Sequence, residues 1–174
     1  MITFRQAVRG DIDAIAEIYG RIFEREERGE TTTGWIRHVY PTRETALAAL
    51  AAGDLYVAEE DGAVAAAARI NREQVPAYAN AAWETEASPE QVLVLHTLVV
   101  DPARGGRGIG SAFVRFYEDM AREQGCISLR MDTNERNRAA RGLYAHLGFR
   151  EAGIVPCSFN GIPGVRLVCL EKTL

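Results

Sequence analysis

Residues 91–111 read QVLVLHTLVVDPARGGRGIGS. An apolar run from Val92 to Val100 is interrupted only by His96 and Thr97, as a buried strand would be. Asp101-Pro102 ends it, because proline has no N–H to give to a sheet ladder. Arg104 to Gly110 then packs four glycines and two arginines into seven residues. Beyond Ser111 the chain shows Ala112, Phe113, Phe116, Tyr117 and Met120 at helical spacing. The order is strand, glycine loop, helix. A helix N-terminus presents free N–H groups and the positive end of the dipole, which suit an anion. Glycines let the backbone approach a phosphate closely and adopt positive φ. Arg104, Gly105, Gly106, Arg107, Gly108, Ile109, Gly110 and Ser111 therefore read as a phosphate-binding turn, against the plainer reading of a tight strand-to-helix connection.

The residues narrow the phosphate. Gly110-Ser111 lacks the lysine of a nucleoside-triphosphate P-loop. Gly106-x-Gly108 opens a dinucleotide fingerprint, but Ser111 stands where its third glycine belongs, and the loop lies mid-chain. The 174 residues suit one domain, 1–174, with an ordinary globular balance of 47% hydrophobic and 25% charged residues. A net charge of −4 argues against nucleic acid as partner. No apolar run is long enough to span a bilayer, and the N-terminus carries no signal-peptide core, so no membrane partner is expected. Cys126, Cys157 and Cys169 lack metal-ligand spacing, so no metal is expected. They read as reduced thiols of a cytoplasmic protein.

Pro102-Ala-Arg-Gly-Gly-Arg-Gly-Ile-Gly resembles the acyl-CoA pyrophosphate loop of the GNAT superfamily of N-acetyltransferases, Gln/Arg-x-x-Gly-x-Gly/Ala. Gly108 and Gly110 match its glycines. Its first position falls on Gly105, with the arginine one place earlier at Arg104. Asn137-x-x-Ala140-x-x-Leu143-Tyr144-x-x-x-Gly148-Phe149 resembles a second signature of the same family, in the right order and at the right distance. The resemblance implies a mixed, mostly antiparallel α/β sheet flanked by helices, with acetyl-CoA as co-substrate. It implies a small-molecule, amino-acid or peptide amine as acceptor, in a monomer or homodimer. It also implies that the backbone of Leu98, Val99 and Val100 holds the pantetheine arm and the thioester oxygen. Asn137 would assist, and Tyr144 would protonate the departing thiolate. A phenol with pKa about 10 can donate to a thiolate whose conjugate acid lies near 8.5. A core aromatic on a helix stripe remains the simpler reading of Tyr144. A non-catalytic acyl-CoA-binding module and a dinucleotide-dependent oxidoreductase remain alternatives of other classes.

The attacking amine must be neutral, so a proton acceptor is expected. His96 is the first candidate, since an unperturbed imidazole titrates near neutrality. Asp132, at the end of the next strand, is the second. Either can instead be structural.

In chain order, Ile2 to Ala7 alternates as a strand, and Asp11 would cap a helix bearing Ile12, Ile15, Ile18, Tyr19, Ile22 and Phe23. Residues 24–30 read as its solvated end. For TTTGWIRHVY the resemblance implies, from the place of this segment in the family's layout, that Trp35 and Tyr40 shape an acceptor pocket; the plainer reading is that they pack that helix onto the core. Thr42 would cap the next helix, Glu44 to Ala52. Two strands follow, joined at Asp61-Gly62. Residues 71–90 are the least readable. They are expected to form a substrate lid, with Glu84 and Glu86 as candidate acceptor contacts. Cys126 to Met131 reads as a strand, Asp132 to Asn137 as a turn, and Phe149–Cys157 and Val165–Leu170 as a closing strand pair separated by the loop 160–164.

Overall fold

The computed structural model describes residues 1–174. Seven strands, β1 (Ile2–Gln6), β2 (Leu55–Glu60), β3 (Ala63–Asn71), β4 (Val92–Val100), β5 (Ser128–Asn134), β6 (Arg150–Phe159) and β7 (Ile162–Thr173), form one sheet in the order β1-β2-β3-β4-β5-β7-β6. The helices are α1 (Ile12–Glu27), α2 (Arg43–Ala51), α3 (Ile109–Glu123) and α4 (Arg138–His146). Only β4 and β5 run parallel. This is the mixed, mostly antiparallel α/β sheet expected. It is not the doubly wound parallel sheet that a dinucleotide fold requires.

Alternation along the strands assigns the faces. Leu93, Leu95, Ala66, Ala68 and Met131 point into a cluster with Phe113, Val114 and Tyr117 of α3 and Tyr144 of α4. Ala67, Val57 and Val99 point the other way, onto Ile15, Ile18 and Phe23 of α1 and Ala46 and Ala49 of α2. On that second face α1 and α2 cover only the β1–β4 half. The 72–91 connection covers the rest, placing Ala77 and Tyr78 against Val92, Val94, Val155, Leu167 and Cys169.

Two hairpins close on positive-φ pairs. Asp61-Gly62 has φ of 55° and 76°, as foreseen. Asn160-Gly161, at 52° and 77°, forms a two-residue turn closed by Phe159 opposite Ile162, where the sequence suggested a longer loop. Pro163 is tolerated inside β7 because pairing with β5 reaches only Leu167 opposite Asn134; at Pro163 the strand has β6 alone as neighbour. β5 likewise runs to Asn134, so Asp132 is a strand residue and not part of a turn. Asp11 precedes α1 but does not cap it by its side chain; its carboxylate accepts from the Val8 N–H at 2.8 Å and pairs with Arg5 at 2.7 Å. Thr42 does cap α2, accepting from the Thr45 amide.

Candidate active site

The site follows from one irregularity in β4. Ala67 pairs with Val99 and Arg69 with His96, so two residues of β3 span three of β4. The extra residue makes a β-bulge at 97–98, with Thr97 at φ 53°. On the other edge, β4 pairs with β5 only from Val92–Ser128 to Leu95–Met131. β5 instead stays with β7 along its whole length. The sheet therefore splits past Leu95, leaving the β5-facing edge of residues 97–100 without a strand partner.

A cleft of about 290 Å³ occupies the split. Leu98, Val99, Val100, Asp101 and Gly105 line one wall, and Asp132, Asn134, Asn137 and Tyr144 the other. Thr31, Thr33, Gly34, Trp35 and Tyr40 cover it from the α1–α2 connection, and Phe159, Asn160, Ile162, Val165 and Leu167 from the β6–β7 hairpin.

The glycine turn leads off this wall. Gly106 and Gly108 both have φ of 76°, a conformation natural to glycine. Gly108 precedes α3 without a side-chain cap, and the first intrahelical bond is Ala112 N–H to the Gly108 carbonyl. The amides of Ile109, Gly110 and Ser111 thus have no intrahelical acceptor. Gly110 sits close enough that an added Cβ would touch Val100 at 3.6 Å and Leu143 at 3.5 Å. Arg104 and Arg107 are tied down. Both guanidiniums bind the Glu60 carboxylate, at 2.9 and 2.6 Å, and hold it below the ordinary range. Asp101 anchors the start of the turn by accepting from the Ala103 amide and from Arg21 of α1, each at 3.0 Å. Only Gly105 of the turn faces the cleft itself; Gly106 to Ser111 continue away from it into α3.

The second signature places Asn137 as the cap of α4, its Oδ1 accepting from the Ala140 amide at 3.2 Å. Asn137 also lines the cleft, and its amide NH₂ is not engaged by that cap. Tyr144 is 7% exposed and its hydroxyl has no hydrogen-bond partner in the protein. Burial, and then the nearby Asp132, hold its phenol well above the ordinary range.

Asp132 and His96 separate clearly. Asp132 lines the cleft, and burial pushes its carboxyl up to about 6 while a hydrogen bond from Tyr78, 2.6 Å long, pulls it down. His96 does not line the cleft. Its Nε2 lies 2.8 Å from Asn71 Oδ1, and burial, with Arg69 second, pushes it down to about 4. His96 is thus engaged by its neighbour on β3 and is not brought to the cleft that Asp132 lines, unlike the expectation for it as the first candidate.

Trp35 and Tyr40 both face the cleft and meet edge to face at 6.2 Å. The Tyr40 hydroxyl hydrogen-bonds Thr97 at the bulge. Glu84 and Glu86 do not reach it. Glu84 pairs with Arg150 at 3.0 Å, its amide donates to Glu171, and Glu86 is exposed away from the cleft. Residues 72–91 are accordingly no lid. They pack beneath the sheet because Trp83 lies under Arg130, 4.3 Å from its guanidinium carbon, and donates to the Tyr78 carbonyl. Sequence reading also passed over Glu26. Its carboxylate accepts from the Thr31 hydroxyl, the Thr33 amide and hydroxyl and the Gly34 amide, all within 3.0 Å, so the end of α1 is an anchor and not merely solvated. No group of three or more His, Cys, Asp or Glu gathers as a metal site would require. No helix is long and apolar enough to cross a membrane.

A family model described as "Acetyltransferase (GNAT) family" matches residues 12–149. Human N-acetyltransferase 8B is 41% identical over 64 residues, 37% of this chain and 28% of its own. The N-alpha-acetyltransferase RimI of Mycobacterium tuberculosis is 43% identical over 60 residues, 34% of this chain and 36% of its own. The match thus spans about a third of the length of these relatives. Among solved structures, a GNAT-family acetyltransferase from Streptococcus agalactiae superposes with a TM-score of 0.81 at 22% identity, over 99% of this chain and 95% of that one. The yncA protein of Salmonella typhimurium, solved with its cofactor acetyl-CoA, gives 0.70 at 20% identity, over 100% and 94%. At these identities the structures speak for the fold.

Proposed function

The chain belongs to the GNAT acetyltransferase family, and from that premise we propose that residues 1–174, as one domain, transfer an acetyl group from acetyl-CoA to a primary amine. One observation carries the proposal: a single cleft, opened by the β4 bulge, is lined by an unpartnered strand edge, the start of the glycine turn, a raised-pKa carboxyl and an unpartnered phenol. The features fit a long, phosphorylated acyl donor. The free amides at the start of α3 suit a pyrophosphate, and the bare edge of Leu98–Val100 suits amides that pair as a strand does. When bound, acetyl-CoA supplies an activated thioester.

Asp132 takes the proton from the incoming ammonium, directly or through one water, and a carboxyl near 6 is ionised at neutral pH while still basic enough for the task. The amine, now neutral, attacks the thioester carbon. N–H groups on the open β4 edge hold the oxygen that gains charge, a fixed donor set that needs no reorganisation. Tyr144, kept protonated by burial, donates toward the sulfur as the C–S bond breaks, and the second proton leaving the nitrogen returns to the phenolate, directly or through water, so that the amide is neutral and Tyr144 is restored. Once Asp132 carries the amine's proton, its negative charge no longer opposes ionisation of Tyr144, so the first proton transfer eases the second. Trp35 and Tyr40 shape the acceptor side. Three unpaired cysteines support a reducing, cytoplasmic setting.

The test is thiol release from acetyl-CoA against a panel of small amines, free amino acids and short peptides. Tyr144→Phe should lower kcat by on the order of a hundredfold and leave CoA affinity intact. If CoA binds and no amine is turned over, the chain is a non-catalytic acyl-CoA-binding module instead.

A further inference from the structure

Tyr78 lies in the stretch that sequence reads least well, yet it is one of the largest fully enclosed side chains and is 2% exposed. Its backbone sits in a short 3₁₀ turn, Pro76–Asn80, below the split in the sheet. Its hydroxyl crosses to β5 and donates to Asp132 Oδ2 at 2.6 Å. No other hydrogen bond reaches that carboxylate within the protein, so Oδ1 is left for a ligand. The turn is itself fixed from below. The Trp83 indole N–H donates to the Tyr78 carbonyl at 2.8 Å, and the two rings meet edge to face at 5.2 Å. Arg130 lies over Trp83, and its guanidinium donates to Gln74 and to the Thr85 carbonyl at 2.6 and 3.0 Å, gripping both ends of the connection.

We propose that Tyr78 is a positioning residue for the transfer reaction: its hydroxyl fixes one oxygen of Asp132, so that the other faces the acceptor, and the 72–91 connection is a brace for the proton acceptor. This rests on the reading of Asp132 as the base. The groups facing Asp132 are Tyr78 from the connection, Tyr144 from α4, Tyr40 from the α1–α2 segment, Cys157 from β6 and Cys169 from β7. None carries positive charge. The Tyr78 hydrogen bond is therefore the protein's one direct stabiliser of the ionised carboxylate, against burial. A donor to the charged form lowers a carboxyl pKa, so its removal must raise it.

The experiment needs no known acceptor. The full chain, labelled with ¹³C at aspartate carboxyls, is titrated by NMR as wild type, Tyr78→Phe and Trp83→Phe, with Asp132→Asn to assign the resonance. Asp132 should titrate near pH 6 in the wild type. It should titrate about one pH unit higher in Tyr78→Phe, and move in the same direction by less in Trp83→Phe, where the hydroxyl remains but its turn is loosened. If Tyr78→Phe does not fold, Trp83→Phe alone decides. An Asp132 resonance that titrates at the wild-type pH in every folded variant overturns the proposal. With an amine found by the panel, the loss of kcat/KM in Tyr78→Phe should be roughly fivefold greater at pH 6 than at pH 8.5, where the carboxyl is ionised in both proteins and only the lost orientation counts. A loss of the same size at both pH values, with Asp132 titrating as in wild type, would mean a merely structural role. Full activity of Asp132→Asn would instead remove the base reading, whatever the titration shows.

Discussion

Asp132 and His96 differ by their enclosure and not by their intrinsic chemistry. By reference values the imidazole is the better base at neutral pH. Burial reverses the order, because it disfavours the charged form of each. It moves the carboxyl up toward neutrality and the imidazole down and away from it. That reversal is invisible in a sequence, since it depends on what the fold packs around each residue: Tyr78 and the cleft for Asp132, Asn71 and Arg69 for His96. Tyr144 was legible because its whole motif was present; Tyr78 carried no pattern at all. The raised Asp132 value has a consequence for stability. Its folded-state pKa of about 6 lies above the ordinary 3.8, so the fold disfavours the ionised form. The cost is absent below about pH 4, grows between there and pH 6, and is complete above it. Asp132→Asn should therefore unfold at higher denaturant than wild type at pH 7.5, by about 1–3 kcal/mol. The advantage should shrink to nothing by pH 3.5. A difference that does not change with pH would show that Asp132 is not held at a raised value.

At the scale of elements, the pieces with local signals were readable and those with tertiary causes were not. The 61–62 hairpin and the cap at Thr42 are set by residues within four positions of each other. The bulge in β4 has no such mark, because Thr97-Leu98 suits a regular strand equally well. Glu84 and Glu86 looked like acceptor contacts only while 71–90 was free to be a lid. The cover over the cleft comes instead from residues 31–34, where Thr32 also donates to the Arg136 carbonyl. That segment is short, polar and held chiefly by one carboxylate. Glu26→Ala removes the acceptor of four hydrogen bonds. Hydrogen exchange at Thr33 and Gly34 should accelerate by tenfold or more, since losing about 1–3 kcal/mol of local stability is a factor of that order. Amides in β5 and β7 should be unchanged. Equal acceleration in those strands would mean that Glu26 supports the whole fold and not the cover alone.

Across the whole molecule, the cleft lies where parts distant in sequence meet: α1, the 31–40 segment, the split strands, the start of the glycine turn, α4 and the last hairpin all contribute to its walls. A ligand spanning it ties together two apolar clusters that otherwise touch through the sheet, so binding should register in global unfolding. Acetyl-CoA or CoA at a hundredfold its Kd should stabilise by about 2.7 kcal/mol. For a chain of this size that raises Tm by roughly 5–10 °C. NADH should leave the midpoint in place, because this sheet has no parallel half to receive a second nucleotide. The charge layout makes the response depend on salt. Arg104 and Arg107 are held at the turn by Glu60, so a phosphate that binds there must compete with that carboxylate. In Glu60→Gln the two cations are released, and CoA should bind more tightly at low ionic strength, with a steeper decline as salt is added. If the Glu60→Gln shift matches wild type at every salt concentration, the arginines do not meet the phosphates, and the free amides at the start of α3 would have to hold the nucleotide without them.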